Sequence, residues 1–416
     1  MIKIDNIKIK GYKNIKSADL KLSNLNVVVG ANNSGKSNFI QAISFLNFMV
    51  NASLDDVEKG FTKGFGFNYT NFKQIIPSVT FSELIKANNL KRNGVIEFEL
   101  AFSNSETDRL FTYCIIIEWD SSLIESEFKI KKEKLDVKEA KKTGPAVNIF
   151  SRHYDVVKYG TEFSKMDRFE TVLNHFSIIR VLKILTEVKE DYKYKDAVNC
   201  LNEILKTPIF YFSLTELLKA DKERQNSFNG RVVSFELEKE IIALEEGSKW
   251  SIFNEALKNI LNIDTVTVNK YNFDNNKLPV TKILTFLHNK KNNGLSQFSD
   301  GTLLILALVT KILSTENHIF LIEEPENSIH PKALVDLINF LKSFSEEKQF
   351  IITTHSIALI NTTQIEDIIV SSCDEDGLSE FYNVSSKKEL KTRLKKSSTN
   401  FSDELFFNLE DKNEFE

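Results

Sequence analysis

No stretch of this 416-residue chain approaches the roughly 18 uninterrupted apolar residues that a membrane-spanning helix needs. Cysteine is scarce: Cys114, Cys200 and Cys373 lie far apart in apolar or strand-like surroundings, which excludes a disulfide framework and a zinc site and leaves buried structural thiols. Charge of one sign is also missing, since 54 Lys and Arg stand against 58 Asp and Glu for a formal net charge of −4. A nucleic-acid contact would therefore have to come from a local patch. There is no internal repeat, and no sustained heptad pattern that would build a long coiled-coil arm. The start, Met1-Ile2-Lys3-Ile4-Asp5, lacks a signal peptide's apolar core and already alternates like a strand. These absences predict a soluble cytoplasmic protein with no membrane segment. Its length supports one large core with a subdomain, or two domains.

What is present is sharper. Gly30-Ala31-Asn32-Asn33-Ser34-Gly35-Lys36-Ser37 fits the G-x-x-x-x-G-K-[ST] phosphate-binding loop. The apolar run Leu25 to Val29 leads into it as a buried strand. Asn38 to Val50 leaves it with the helical spacing Phe39, Ile40, Ile43, Leu46, Phe48. Gly30 and Gly35 let the backbone bend so that successive N–H groups face the phosphates, and the helix that follows aims the positive end of its dipole at them. Lys36 adds a mobile point charge and the Ser37 hydroxyl can ligate Mg²⁺. The expected nucleotide-binding residues are Gly30, Asn32, Asn33, Ser34, Gly35, Lys36, Ser37 and Asn38, with a nucleoside triphosphate as ligand.

Around this loop the chain reads in segments. Ile2 to Ile9 and Ile15 to Leu22 alternate as two strands turned at Gly11, and strands resume at Val95 to Phe102 and Thr112 to Trp119. Gly60 to Asn71 has no clear period and reads as a loop. Helical apolar spacing covers Met166 to Leu205, and a further helical segment runs from Val233 to Leu261.

A second group of motifs follows. Asn317 to Pro325 is an apolar strand ending in Glu323 and Glu324, two adjacent carboxylates suited to holding Mg²⁺ through water and to orienting or deprotonating an attacking water. Phe350 to Thr354 is another buried strand, ending at His355-Ser356. His355 reads either as a packing residue or as a group that senses the γ-phosphate. Upstream, Ser299-Asp300-Gly301-Thr302 opens the helix Leu303 to Leu313 and makes a second anion-binding helix start. Because the chain already has a loop for its own phosphates, this second cradle is expected to complete a site on another subunit.

The order phosphate loop, Ser-Asp-Gly-Thr, apolar-Glu-Glu-Pro-Glu, Thr-Thr-His-Ser resembles the ABC-type ATPases of the RecF, SMC and OLD group, over residues 1 to 80 and 290 to 375. The resemblance implies that Ser299 to Thr302 is the signature motif, acting on the opposing subunit. It makes Glu323 the Walker B acid, Glu324 the catalytic glutamate and His355 the switch histidine, with Glu326 to Pro331 at a dimer interface. Position 323 is Glu where most ABC ATPases have Asp, and position 300 is Asp where transporters have Gly, which argues against a transporter subunit. Gln74 is the candidate for the glutamine loop and a metal contact beside Ser37 and Glu323. The implied fold class is α/β, an ABC-type P-loop NTPase with an N-terminal antiparallel β-subdomain and a mainly helical insertion. Its expected parts are an N-terminal lobe (1–124), the insertion (125–290), a C-terminal lobe (291–375) and a charged tail (376–416). ATP and Mg²⁺ are the implied cofactors.

No Asp-x-Asp pair on a second apolar strand set follows His355, so an intrinsic Toprim nuclease is not expected and any cutting would fall to a partner. The family setting is bacterial anti-phage defence, with a homodimer or higher oligomer controlling a separate nuclease or toxin. The alternative is a RecF-like repair ATPase that binds DNA directly. Its candidate surface is Lys129 to Lys142, which reads first as a solvated edge strand or helix. The basic segment Lys387 to Lys396 and the acidic end Asp403 to Glu416 read as a docking tail or as simple solvation.

Overall fold

The computed structural model describes residues 1–51, 94–119, 128–141, 143–160, 177–188, 195–205, 209–211, 235–271 and 281–386. Gln74, the loop 60–71 and the tail segments 387–396 and 403–416 lie outside them. Strands β1 (Ile2–Lys10) and β2 (Ile15–Lys21) form a hairpin whose turn uses Gly11 at φ +73° and Lys13 at φ +48°. A Cβ at Gly11 would lie 2.3 Å from the Val95 carbonyl oxygen, so the turn needs glycine for space as well as for conformation. Strand β3 (Leu25–Gly30) is buried throughout, and helix α1 (Lys36–Asn51) follows the phosphate loop.

Strands β4 (Val95–Asn104), β5 (Arg109–Trp119), β6 (Phe128–Glu139), β7 (Val147–His153) and β8 (Val156–Tyr159) extend the β1–β2 hairpin as an antiparallel flank. The lysine-dense stretch is therefore largely a strand. Ile130, Glu133, Leu135 and Val137 of β6 are buried, while Lys129 and Lys132 are exposed. The 124/125 division falls between β5 and β6, which pair along their whole length, so the segment 125–290 begins as a continuation of the same sheet.

The buried face of this flank holds one charged cluster. Glu133 and Arg152 each have fully buried side chains, with Nη1 of Arg152 3.7 Å from Oε2 of Glu133. Tyr113 Oη and Ser177 Oγ donate to Oε1 of Glu133 at 2.9 and 2.5 Å, and the Ile178 N–H donates to Oε2 at 2.9 Å. Burial pushes the Glu133 carboxyl up in spite of these donors. The Ile178 contact fixes the start of helix α2 (Ile178–Val188), and helix α3 (Lys195–Leu205) follows. Both helices pack on α1, so the flank supports the helix that carries Lys36.

Strand β9 (Ile209–Tyr211), helices α4 (Phe235–Glu245) and α5 (Trp250–Leu261), and a separate hairpin sheet of β10 (Thr265–Tyr271), β11 (Thr281–His288) and β12 (Lys291–Asn293) come next. The segment expected as one helical run from 233 to 261 is two helices, broken where the Gly247 N–H turns back to the Leu244 carbonyl. Helix α6 (Asp300–Ser314) is buried on every side from Leu303 to Leu313. It is the hydrophobic centre of its layer rather than an amphipathic surface helix. Glu240 of α4 meets Lys311 of α6 at 2.6 Å. Beyond the far end of α6, Lys348 Nζ donates to the carbonyls of Thr315 and Asn317, and burial lowers its pKa to about 8.

Strand β13 (Ile319–Glu323), helix α7 (Pro331–Ser343), strand β14 (Gln349–Thr354), the short helix α8 (Ile357–Thr362) and the hairpin β15 (Ile368–Cys373) and β16 (Ser379–Asn383) complete the chain. The described strands make a thirteen-stranded sheet in the order β8-β7-β6-β5-β4-β1-β2-β16-β15-β3-β14-β13-β9. The strands β15, β3, β14, β13 and β9 run parallel. Side chains alternate between two cores: Val28, Leu321, Ile351 and Ile369 face the α1 side, and Val27, Val29, Phe320, Ile322, Phe350, Ile352, Ile368 and Val370 face the α6 side. Burial on both faces is what a parallel sheet between helical layers requires. Its carboxyl edge then collects the ends of β3, β13, β14 and β15 in one row, where ligands bind in open α/β sheets.

Candidate functional site

The phosphate loop is bent by Asn33 at φ +63° and Gly35 at φ +94°. A Cβ at Gly30 would lie 2.4 Å from the Ser371 carbonyl oxygen, and one at Gly35 would lie 2.5 Å from Ser379 Oγ. Both glycines are therefore demanded by the β15–β16 hairpin behind the loop. That hairpin buttresses the loop further, with Ser371 Oγ donating to the Ser34 carbonyl and the Cys373 thiol to the Asn33 carbonyl at 3.4 Å. Cys114 and Cys200 are buried as expected, but Cys373 is half-buried against this loop. Asn38 Nδ2 donates to Asn14 Oδ1 at 2.7 Å, and Asn14 Nδ2 donates to Ser379 Oγ at 2.7 Å. The β1–β2 turn is thus tied to the first turn of α1.

Lys36 is only 4% exposed, and its ammonium donates to the Gly30 and Ala31 carbonyls at 3.0 and 2.9 Å. Burial lowers its pKa, opposed by the carboxylates of Glu324, Glu326 and Glu323. The lysine that would meet phosphate thus already feels the carboxylates at and just after the end of β13. Lys13 stands nearby, hydrogen-bonded to Gln41 Oε1; burial lowers its pKa as well, and Glu323 opposes the shift.

Glu323 is the last residue of β13 and Glu324 the first beyond it. Burial raises the Glu323 carboxyl, a hydrogen bond with Ser37 opposes this, and the neighbouring Glu324 adds to it. Glu324 takes φ +45°, a left-handed conformation uncommon for a residue with a side chain, while its N–H still donates to the Thr353 carbonyl at 2.9 Å. Its Oε1 lies 3.1 Å from Nε2 of His355, and its Oε2 accepts from Asn327 Nδ2 at 2.9 Å. The structure thus brings Lys36, Ser37, Glu323, Glu324 and His355 together across β3, β13 and β14.

The residues fit a magnesium nucleotide. Among the described residues, buried side-chain oxygens without a partner include Ser34 Oγ, Glu323 Oε2 and Thr353 Oγ1, which all lie in the loop or at the adjoining strand ends. Such atoms are costly unless a ligand meets them. Ser37 Oγ and Glu323, a hydroxyl and a carboxylate, are the hard oxygen donors that Mg²⁺ takes.

Ser299 caps α6, accepting from the Thr302 N–H at 3.4 Å, with its Oγ 2.9 Å from Thr302 Oγ1. Ser299 and Asp300 are exposed. Gly301 has a second reason to be glycine: a Cβ there would lie 2.0 Å from the Ser328 carbonyl oxygen. The helix start therefore rests on the segment that follows Glu324. Sequence reasoning missed Asn14, Ser371, Ser379 and the role of Glu326, whose partners come from distant parts of the chain. Only Glu326 stood inside a motif already singled out.

The family model of the AAA ATPase domain matches residues 2–360. One stretch of 131 residues is 27% identical to Endonuclease GajA of Bacillus cereus (strain VD045), and it covers 29% of this chain and 22% of that protein. The chain thus spans under a quarter of that relative's length. Among solved structures, the SMC head domain from Thermotoga maritima is 12% identical with a TM-score of 0.43, over 92% of this chain and 99% of that one. The Smc head domain from Pyrococcus furiosus, with an extended coiled coil and bound to the C-terminal domain of ScpA, is 14% identical with a TM-score of 0.47, over 95% and 100%. Among the described residues no helix is long and apolar enough to cross a membrane. With the phosphate loop, the paired glutamates and the histidine on one sheet edge and the family model across most of its length, the chain belongs to the AAA ATPase domain family.

Proposed function

We propose that the chain binds ATP with Mg²⁺ in the Lys36 loop and hydrolyses it in a homodimer whose other subunit supplies Ser299 to Thr302. Nucleotide-driven closure of that dimer controls a separate effector, a nuclease or toxin, in bacterial defence against phage. The observation that carries the hydrolytic part is the 3.1 Å contact between His355 Nε2 and Glu324 Oε1 beside the Lys36 loop. In this reading Lys36 leaves the Gly30 and Ala31 carbonyls for the β- and γ-phosphate oxygens. Glu324 takes the proton of the attacking water, and His355 orients Glu324 and meets the γ-phosphate. Ser37 and Glu323 would hold the metal, which supplies charge neutralisation on the β- and γ-oxygens.

The dimer is supported by the exposure of Ser299 and Asp300 at the start of a helix whose remaining turns are buried. The relative named an endonuclease supports nucleic-acid cleavage as the controlled output. Direct DNA binding through the lysine stretch gains less support, because Lys131, Lys134 and Lys141 pair with Glu118, Asp136 and Asp108. The test is Mg²⁺-dependent ATP hydrolysis by the purified chain and by Lys36→Ala. The variant should bind ATP about 100-fold more weakly, since two charge-assisted hydrogen bonds to phosphate together contribute about 3 kcal/mol. Equal ATP affinity in the two proteins would overturn the assignment of the loop.

A further inference from the structure

Two loops meet at the carboxyl edge of the sheet, one after β13 and one after β14, and a second carboxylate joins them. Glu326 lies in the single 3₁₀ turn Pro325–Asn327, two residues past Glu324. Its Oε1 accepts from Thr354 Oγ1 at 2.8 Å and from the backbone N–H of His355. Thr354 Oγ1 in turn accepts from the Ser356 N–H at 2.9 Å. One oxygen of Glu326 therefore anchors the backbone at His355 and, through Thr354, the residues on either side of it. The imidazole itself reaches across to Glu324 Oε1 at 3.1 Å.

These contacts divide the work between the two acids. Glu324 holds the ring of His355 and Glu326 holds its main chain. His355 lies beyond the last residue of β14, so the sheet ladder does not fix its N–H. Without an acceptor at Glu326, the His355 N–H would lose its partner and Thr354 Oγ1 its acceptor, and the ring would be held by the Glu324 contact, which has to loosen if Glu324 takes a proton. From this geometry we infer that Glu326 is a positioning residue: it acts through Thr354 and the His355 backbone to keep Nε2 of His355 directed at Glu324 and the γ-phosphate. The inference rests on the ATPase reading above and assigns Glu326 no contact with the reacting atoms.

A group that aims another changes turnover more than substrate affinity, and a misplacement of about 1 Å can cost on the order of 100-fold. Glu326→Ala is expected to lower kcat for ATP by about 10- to 100-fold while KM stays within about threefold. Glu326→Gln keeps an amide oxygen that can accept the same two hydrogen bonds and should restore most of the rate. Thr354→Val, which removes one of the two donors, should fall between wild type and Glu326→Ala. The deciding readout is the double variant: in a His355→Ala background, Glu326→Ala should cost little more, because the group it positions is gone.

Thermal unfolding of each variant guards against a folding defect, and if Glu326→Ala does not fold, the Gln and Thr354→Val variants carry the test. The positioning role is overturned if His355→Ala is slow while Glu326→Ala runs at the wild-type rate. It is equally overturned if the two losses multiply in the double variant, or if Glu326→Gln is as slow as Glu326→Ala. Wild-type turnover in His355→Ala would instead overturn the reading of the histidine itself, and the proposal with it.

Discussion

Glu324→Gln should slow ATP turnover by about 10²- to 10⁴-fold, the range that a positioned general base contributes, and leave ATP affinity at or above the wild-type level. The carboxylate sits where the left-handed turn at φ +45° carries it off the line of β13, away from Glu323 and onto His355. Glutamine has the same length and keeps an acceptor for Asn327, so the site should retain its shape and lose only the proton acceptor. Steady-state hydrolysis together with equilibrium binding of a labelled nucleotide separates the two effects. Unchanged turnover in this variant would remove Glu324 from the chemistry.

The second large effect concerns stability. Glu133→Ala should destabilise the fold by about 3–5 kcal/mol, the cost of removing one partner of a buried ion pair. The alanine would leave the buried Arg152 guanidinium without its carboxylate, two hydroxyls without their acceptor, and the first N–H of α2 without a cap. Glu133→Gln retains an acceptor oxygen and should lose less. Because α2 and α3 pack on α1, the alanine variant should also loosen the helix behind Lys36. Urea unfolding with and without ATP measures both consequences, and a loss below about 1 kcal/mol would show that the cluster is dispensable.

What could be read from the sequence was what is local. The β1–β2 hairpin, the strand into the phosphate loop and the helix out of it are encoded by alternation, glycine spacing and apolar periodicity within about 50 residues, and each lies where expected within a few positions. Strand β6 was ambiguous for two physical reasons. Lys131 is an extra residue at a register shift, which breaks the two-residue period, and the inward position 133 carries Glu instead of an apolar residue. The sheet order could not be read, because β16 enters between β2 and β15 and pairs the end of the described chain with its beginning. The same non-local closure hid Ser371 and Ser379, which meet the loop at Ser34 and Gly35 from more than 300 residues away. Gly301 shows a motif residue with two reasons to exist: the sequence pointed to close approach of an anion, and the structure adds the Ser328 carbonyl against its Cα.

In the proposed dimer the Lys36 loop of one subunit is completed by the Ser299 helix of another. The direct measurement is the mass in solution, by analytical ultracentrifugation, of the Glu324→Gln protein with and without ATP and Mg²⁺, beside the same protein carrying Ser299→Arg. ATP should double the mass of the first, whereas the second should still bind ATP on the single chain, more weakly than the dimer does, and keep the mass it has without nucleotide. If ATP leaves the mass of the first unchanged, or doubles the mass of the Ser299→Arg protein as well, the site is not shared between subunits.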